Sequence, residues 1–87
     1  MTKSELRQIL INARTEKNYT HEQVAALASY NGKRISRQFY GMIENGDRRP
    51  SVEVAKSIAK VLDVDWTIFF ELTGNQTLLS ERKKQAI

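Results

Sequence analysis

The stretch RISRQFYGMIENGDRRPS, residues 34–51, carries the side chains of this chain that are best suited to binding a charged partner. Its adjacent aromatics, Phe39 and Tyr40, precede a glycine, and arginines lie at both of its ends. From residue 31 to residue 51, two acidic residues oppose five basic ones, which are Lys33, Arg34, Arg37, Arg48 and Arg49. Such a cluster favours a polyanionic partner, although a charge run taken alone is more often a solvated surface.

Few residues of this chain could carry catalysis or hold a metal ion. The chain has no cysteine and a single histidine, His21, which excludes thiolate zinc sites, cysteine nucleophiles and histidine-based triads. Glu44 could act as a general acid, but no histidine or carboxylate partner is apparent within the same motif, so a paired structural role is favoured. No phosphate-binding loop is visible. An enzyme is therefore the weakest functional class, and the sequence predicts neither a cofactor nor a metal.

Chain length, net charge and hydropathy further limit the kind of protein that this sequence can encode. Eighty-seven residues build one small domain, and the net charge of +4 with a sequence pI near 9.6 leans moderately toward polyanions. No apolar run approaches the roughly 18 residues of a membrane span, and the first residues, MTKSELRQ, lack the apolar core of a signal peptide. The expected location is the cytoplasm, with no membrane partner.

Capping signals and apolar spacing predict the helices that must position these side chains. The first helix opens at Thr2, where Glu5 completes a capping-box pattern, and it ends at Lys17–Asn18. Its apolar residues recur at the spacing of a single helix face, and they are Leu6, Ile9, Leu10 and Ala13.

The second helix opens at Thr20, with Gln23 placed to reach back to the cap. It should stop near Ser29–Tyr30, because the turn signal Asn31–Gly32 follows. The residues that it is expected to bury are Val24, Ala25, Leu27 and Ala28.

The opening stretch predicts the third helix, at about residues 36–45. Ser36 is its expected N-cap, and Ile35 can pack on Tyr40 as a hydrophobic staple. Tyr40 and Ile43 face the core, and the residues outside that stripe are Arg37, Gln38, Gly41 and Met42. Gly46 ends the helix, because glycine takes the left-handed conformation without steric cost.

The C-terminal part predicts two more elements and a tail. The fourth helix begins at Ser51, and its inward residues are Val54, Ala55, Ile58, Ala59, Val61 and Leu62. The next segment, DVDWTIFFEL, alternates as a strand would, but a short helix capped by Asp65 is favoured because no second strand exists for pairing. Its aromatics are expected in the core, with a dimer interface as the alternative. Residues 73–87 are expected to form a short, partly ordered polar and basic tail.

Four segments in this order resemble a known family. They are THEQVA at 20–25, IENG at 43–46, RPS at 49–51 and DVDW at 63–66. Over about residues 4–72 the chain resembles the lambda-repressor-like group of bacterial and phage regulators, also called the Xre or Cro/C1-type helix-turn-helix family. The resemblance implies an all-α fold, a compact five-helix bundle within residues 1–72, with the third helix in the DNA major groove.

The resemblance also implies roles for individual residues. Those matching base contacts are Arg37, Gln38, Phe39, Gly41 and Met42. Arginine can fork onto guanine and glutamine onto adenine, an apolar side chain can meet a thymine methyl, and a glycine lets the backbone come close. Those matching phosphate contacts are Thr20, His21, Asn45, Arg48 and Arg49, with Lys33 and Arg34 as added candidates. The family also pairs the residues that stand here as Arg14 and Glu44.

Several alternatives stay open at this level. Phe39 and Met42 could belong to the edge of the core or to a dimer contact instead, and His21 could be an ordinary helix residue. The segment from Ser29 to Ile35 is about five residues longer than the usual turn of the family, which affects how the third helix docks.

The sequence thus predicts a sequence-specific DNA-binding transcriptional regulator, a repressor that binds a palindromic operator as a homodimer. An antitoxin that represses its own operon is an alternative, and so is a protein-interaction adaptor built on the same bundle.

Overall fold

The computed structural model describes residues 1–29 and 34–71, and every regular element within these ranges is helical. The elements are α1 (Lys3–Glu16), α2 (His21–Leu27), α3 (Arg37–Asn45), α4 (Val52–Leu62) and a 3₁₀ helix (Trp66–Phe70). The predicted all-α class is confirmed. The predictions for the turn at Asn31–Gly32, for Lys33 and for the tail at 73–87 lie outside the described residues.

The helices begin where their capping residues predict. Thr2 Oγ1 accepts from the amide of Glu5 at 3.1 Å, and the Glu5 carboxylate accepts from the amide of Thr2 at 2.8 Å. Thr20 and Gln23 repeat this reciprocal pattern at the start of α2. Ser36 caps α3 through the amide of Phe39, and a serine also caps α4. The start of each α-helix is therefore decided by local hydrogen bonds.

The predicted helix ends are also close to those observed. Lys17 caps the end of α1, and Asn18 follows with φ +61°. Gly46 ends α3 with φ +83°, as the left-handed stop requires. The helix α2 ends at Leu27, with Ala28 as its cap, slightly before the predicted end near Ser29.

The core lies between α1, α2, α3 and α4, and α3 packs on both α1 and α2. Its fully buried large side chains are Tyr40, Phe69, Leu10, Ile43, Ile58, Leu62 and Val24. The prediction for Leu27 is wrong, because this side chain is 55% exposed. Val24, Ala25 and Ala28 define the buried stripe of α2, and at 100° per residue Leu27 lies about 100° from the middle of that stripe.

The ambiguous fifth segment is helical, as favoured, but it is a 3₁₀ helix of five residues. The Asp65 carboxylate caps it by accepting from the amide and the hydroxyl of Thr67. Phe69 is buried, and Trp66 meets Phe70 edge-on with 6.0 Å between ring centroids. The element packs against α4, and its buried residue, Phe69, does not belong to the alternating set, so the strand-like alternation does not mark the buried side. None of the helices in the described part of the chain is long and apolar enough to cross a membrane.

Candidate nucleic-acid interface

The two faces of α3 have opposite character. Tyr40, Ile43 and Glu44 are buried, whereas Arg37 and Gln38 are exposed on the first turn. Within the described ranges, the side chains of Arg37 and Gln38 make no hydrogen bond and no ion pair. The structure thus brings two of the five predicted base-contacting residues to an outward surface at the start of the helix and leaves their side-chain donors available.

Gly41 lies on the same outward surface. A Cβ atom built at this position meets nothing within 4 Å beyond its chain neighbours and the adjoining backbone of α3. Glycine in a helix interior costs about 1 kcal/mol relative to alanine, so the fold itself gains nothing from it here. A residue that weakens its own helix and leaves open space above it is suited to close approach by another molecule.

The two apolar candidates on α3 differ in burial. Met42 is 36% exposed. Phe39 is half-buried and packs against the core, and the guanidinium carbon of Arg48 lies 5.7 Å from its ring centroid. At this distance the ring attracts the cation. Phe39 therefore links the outward surface of α3 to the basic loop that follows the helix.

Glu44 holds the inner face of α3 to the two preceding helices. The Nε of Arg14 on α1 donates to Glu44 Oε1 at 3.0 Å, and the Tyr40 hydroxyl donates to the same oxygen at 2.9 Å. The Glu44 side chain is only 4% exposed. Arg14 also donates to the carbonyl of Tyr19, in the connection between α1 and α2, at 3.0 Å. The predicted ion pair between Arg14 and Glu44 is present and largely buried.

His21 occupies a position that the sequence did not predict. Its Nε2 lies 3.0 Å from Glu44 Oε2, although no histidine partner for this carboxylate was expected. An ionised carboxylate can only accept hydrogen bonds, so Nε2 carries the proton in this contact. The side chain of His21 remains 40% exposed at the N-terminus of α2. One ring nitrogen is therefore engaged with the protein, while the residue keeps an outward edge.

The electrostatics of this cluster favour an ionised Glu44. Burial pushes the pKa of Glu44 upward, but hydrogen bonds from Arg14, His21 and Tyr40, together with the charge of Arg14, outweigh it and hold the pKa below its ordinary value. The hydrogen bond to Glu44 raises the pKa of Arg14. Burial, with the neighbouring carboxylate, raises the pKa of the Tyr40 hydroxyl, which stays a donor. The Glu44 carboxylate, with its three donors, therefore has a structural role in holding the helices together.

The predicted phosphate-contacting residues lie mainly in two places, at the start of α2 and in the loop after α3. Thr20 and His21 begin α2, where free backbone amides and the helix dipole favour an anion. Arg48 and Arg49 are exposed in the loop after Gly46, and Arg49 lies over the ring of Phe70 at 5.8 Å. The remaining described candidates, Arg34 and Asn45, are exposed.

Comparison with known proteins agrees with this geometry. A family model described as "Helix-turn-helix" matches residues 10–69. The chain belongs to the helix-turn-helix family. It is also similar to a Bacillus subtilis (strain 168) protein named "Uncharacterized HTH-type transcriptional regulator YqaF", with 49% identity over 72 residues that cover 83% of this chain and 88% of that protein. No solved structure gives a significant match.

The resemblance to Cro/C1-type regulators is therefore confirmed. This helix-turn-helix protein is a DNA-binding transcriptional regulator, and its family is not a class of enzymes. The geometry gives the family assignment a physical basis, because α3 presents its unpaired polar side chains outward while Glu44 fixes the opposite face.

Proposed function

We propose that this helix-turn-helix protein binds a specific DNA sequence with the outward face of α3 in the major groove and acts as a repressor. The observation that carries this proposal is the combination of unpaired Arg37 and Gln38 with the open space above Gly41. Arginine and glutamine are the side chains that pair in a bidentate manner with guanine and adenine. Phe39 and Met42 contribute apolar contacts beside them.

The phosphate contacts in this proposal lie on both sides of α3. Thr20 and His21 at the start of α2 bind one phosphate group through the helix N-terminus. Asn45, Arg48 and Arg49 bind the backbone after α3, and the stacking of Arg48 on Phe39 holds that arginine close to the outward face. Arg34, exposed just before α3, adds positive charge beside the helix, and Lys33 is proposed as a further phosphate contact.

The protein binds as a homodimer in this proposal, because one such helix contacts only a few base pairs. Two copies related by a twofold axis would recognise half-sites about one helical turn apart, and the operator would then be palindromic. Selection of bound duplexes from a random pool, followed by sequencing, tests this directly. A recovered site without twofold symmetry would contradict the dimer model.

Substitutions separate base contacts from phosphate contacts. A good bidentate contact contributes about 1–3 kcal/mol of discrimination, so Arg37→Ala should bring affinity for the selected site closer to affinity for scrambled DNA. Arg48→Ala and Arg49→Ala should weaken both DNAs alike and lower the slope of log affinity against log salt by about one unit each. The measurement is binding to both duplexes across a salt series.

The base-contact variant, Arg37→Ala, and the phosphate-contact variants, Arg48→Ala and Arg49→Ala, serve as controls for each other. If Arg37→Ala weakened both duplexes equally while the loop variants abolished the sequence preference, the outward face of α3 would not be the surface that contacts bases. A wild-type protein with no preference for any sequence would contradict the proposal as a whole.

A further inference from the structure

The first two turns of α1 lie beside the end of α3. The Nε of Arg7 donates to the side-chain oxygen of Asn45 at 3.0 Å. Lys3, one turn earlier on the same face of α1, packs against Gly46, where an added Cβ would lie 3.0 Å from the Lys3 Cε atom. Two cationic side chains of α1 thus lie at the point where α3 ends and the basic loop begins.

These two side chains are exposed, and their charge is not used by the fold. Both are solvent-exposed, and within the described residues neither has a carboxylate oxygen within 4.0 Å of its side-chain nitrogens. Arg14, on the same helix, has its charge matched by Glu44. The single hydrogen bond from the Arg7 guanidinium to the uncharged amide of Asn45 employs Nε and leaves the two terminal guanidinium nitrogens available.

The hydrogen bond also decides how Asn45 presents its amide. Oxygen and nitrogen lie at opposite corners of the planar side-chain amide, so an oxygen that accepts from Arg7 turns the NH₂ group away from the guanidinium. Asn45 is the last residue of α3 and is exposed. Its two N–H donors are therefore available to an acceptor outside the protein.

We propose that Arg7, supported by Lys3, is a further phosphate-contacting residue, so that α1 binds the same stretch of DNA backbone as Asn45 and the loop after α3. This inference rests on the proposed function. In it the terminal nitrogens of Arg7 meet a phosphate oxygen, Asn45 donates beside them, and Lys3 adds charge at the edge of the contact. Because no base is touched, the contact adds affinity without sequence preference.

The test is a charge-removal series on the intact chain. Arg7→Gln removes the charge but keeps a donor for Asn45, and Arg7→Lys keeps the charge. The matched control is Lys60→Gln, which removes an exposed charge from the last turn of α4. Each variant is titrated with the selected site and with scrambled DNA across a salt series, and its thermal melting is recorded to establish that it folds.

Arg7→Gln should lower the slope of log affinity against log salt by about one unit and leave the ratio of the two affinities unchanged. Arg7→Lys should keep most of the wild-type slope, and Lys60→Gln should keep all of it. The inference is overturned if Arg7→Gln has the wild-type slope, or if Lys60→Gln lowers the slope equally. Either result with a sequence-specific wild type would leave the proposed function intact, whereas failure of wild-type binding would count against that function itself.

Discussion

The inner and outer faces of α3 differ in how fully their polar groups are used. On the inner face, the two carboxylate oxygens of Glu44 accept from three side chains, which come from α1, α2 and α3. On the outer face, Arg37 and Gln38 make no such contact within the described residues. The contrast indicates that the fold uses the polar groups of one face of the helix and leaves those of the other face available, as the proposed DNA contact requires. Changes on the two faces should therefore alter different measured quantities.

The largest effect is expected from removing Glu44. Glu44→Ala leaves the guanidinium of Arg14 and the buried hydroxyl of Tyr40 without their acceptor, and breaking a buried ion pair by loss of one partner costs about 3–5 kcal/mol. The free energy of unfolding, from urea denaturation, should fall by that amount.

Glu16→Ala is the matched control, because it removes an exposed carboxylate from the end of α1 and should change the free energy of unfolding by less than about 0.5 kcal/mol. Equal stability of Glu44→Ala and the wild type would contradict the difference between the two faces.

Acid should produce a smaller effect through the same carboxylate. The pKa of Glu44 is lowered in the folded protein, so this carboxylate binds a proton more readily in the unfolded chain. The stability of the fold therefore decreases as the pH decreases. The contribution is complete above the ordinary value of 4.5 and is lost as the pH falls through the lower, folded-state pKa. Melting temperatures of the wild type and of Glu44→Gln should therefore converge as the pH is lowered below that value.

The carboxylates of Glu5 and Asp65 also have lowered pKa values, from hydrogen bonds with backbone amides and neighbouring side chains. Both remain in Glu44→Gln, so their contribution cancels in the comparison. A constant difference between the two melting temperatures across the whole acid range would show that the Glu44 charge does not contribute to stability.

The smallest change in stability, with the opposite sign, is expected on the outer face. Gly41→Ala places its methyl group in open space and should stabilise the free protein by up to about 1 kcal/mol. The same methyl group should weaken binding to the selected site if the α3 backbone approaches the DNA there. Thermal melting and DNA titration of one variant measure both effects.

Gly46→Ala provides the control at the end of the same helix. Its backbone has φ +83°, and the new methyl group would meet the Lys3 side chain, so this variant should melt at a lower temperature. A Gly41→Ala variant that both melts higher and binds with full affinity would show that the open space above α3 is not used by DNA.

Local signals explain why much of the fold could be predicted. Thr2, Thr20 and Ser36 cap their helices through atoms only three residues away, and Gly46 acts through its own backbone conformation. Such features depend on neighbours in the sequence and need no knowledge of packing. The spacing of apolar residues, which is also a local feature, correctly predicted that Tyr40 is buried and Gln38 exposed.

Contacts between distant side chains could not be predicted in the same way. His21 and Glu44 are 23 residues apart, and Arg7 and Asn45 are 38 residues apart. Whether such groups meet depends on the angle at which two helices cross and on side-chain rotamers, which no short pattern encodes. Leu27 was predicted to be buried but is exposed. A helix of seven residues has few apolar positions, so its apolar pattern alone locates the buried side poorly. The assignment of Arg37 to bases and Arg48 to phosphates stays a prediction.

A carboxylate shared by three helices also limits how a chain of this kind can diverge. Arg14, His21 and Tyr40 all donate to Glu44, so loss of one donor changes what the other two contribute, and their substitutions are not independent. An arginine left in place after its carboxylate is lost is worse than the loss of both. Descendants that alter the buried side of α3 would need paired changes in the first two helices. The side chains of Arg37 and Gln38 carry no such coupling within the described residues, so single substitutions at these two positions should leave the buried cluster intact.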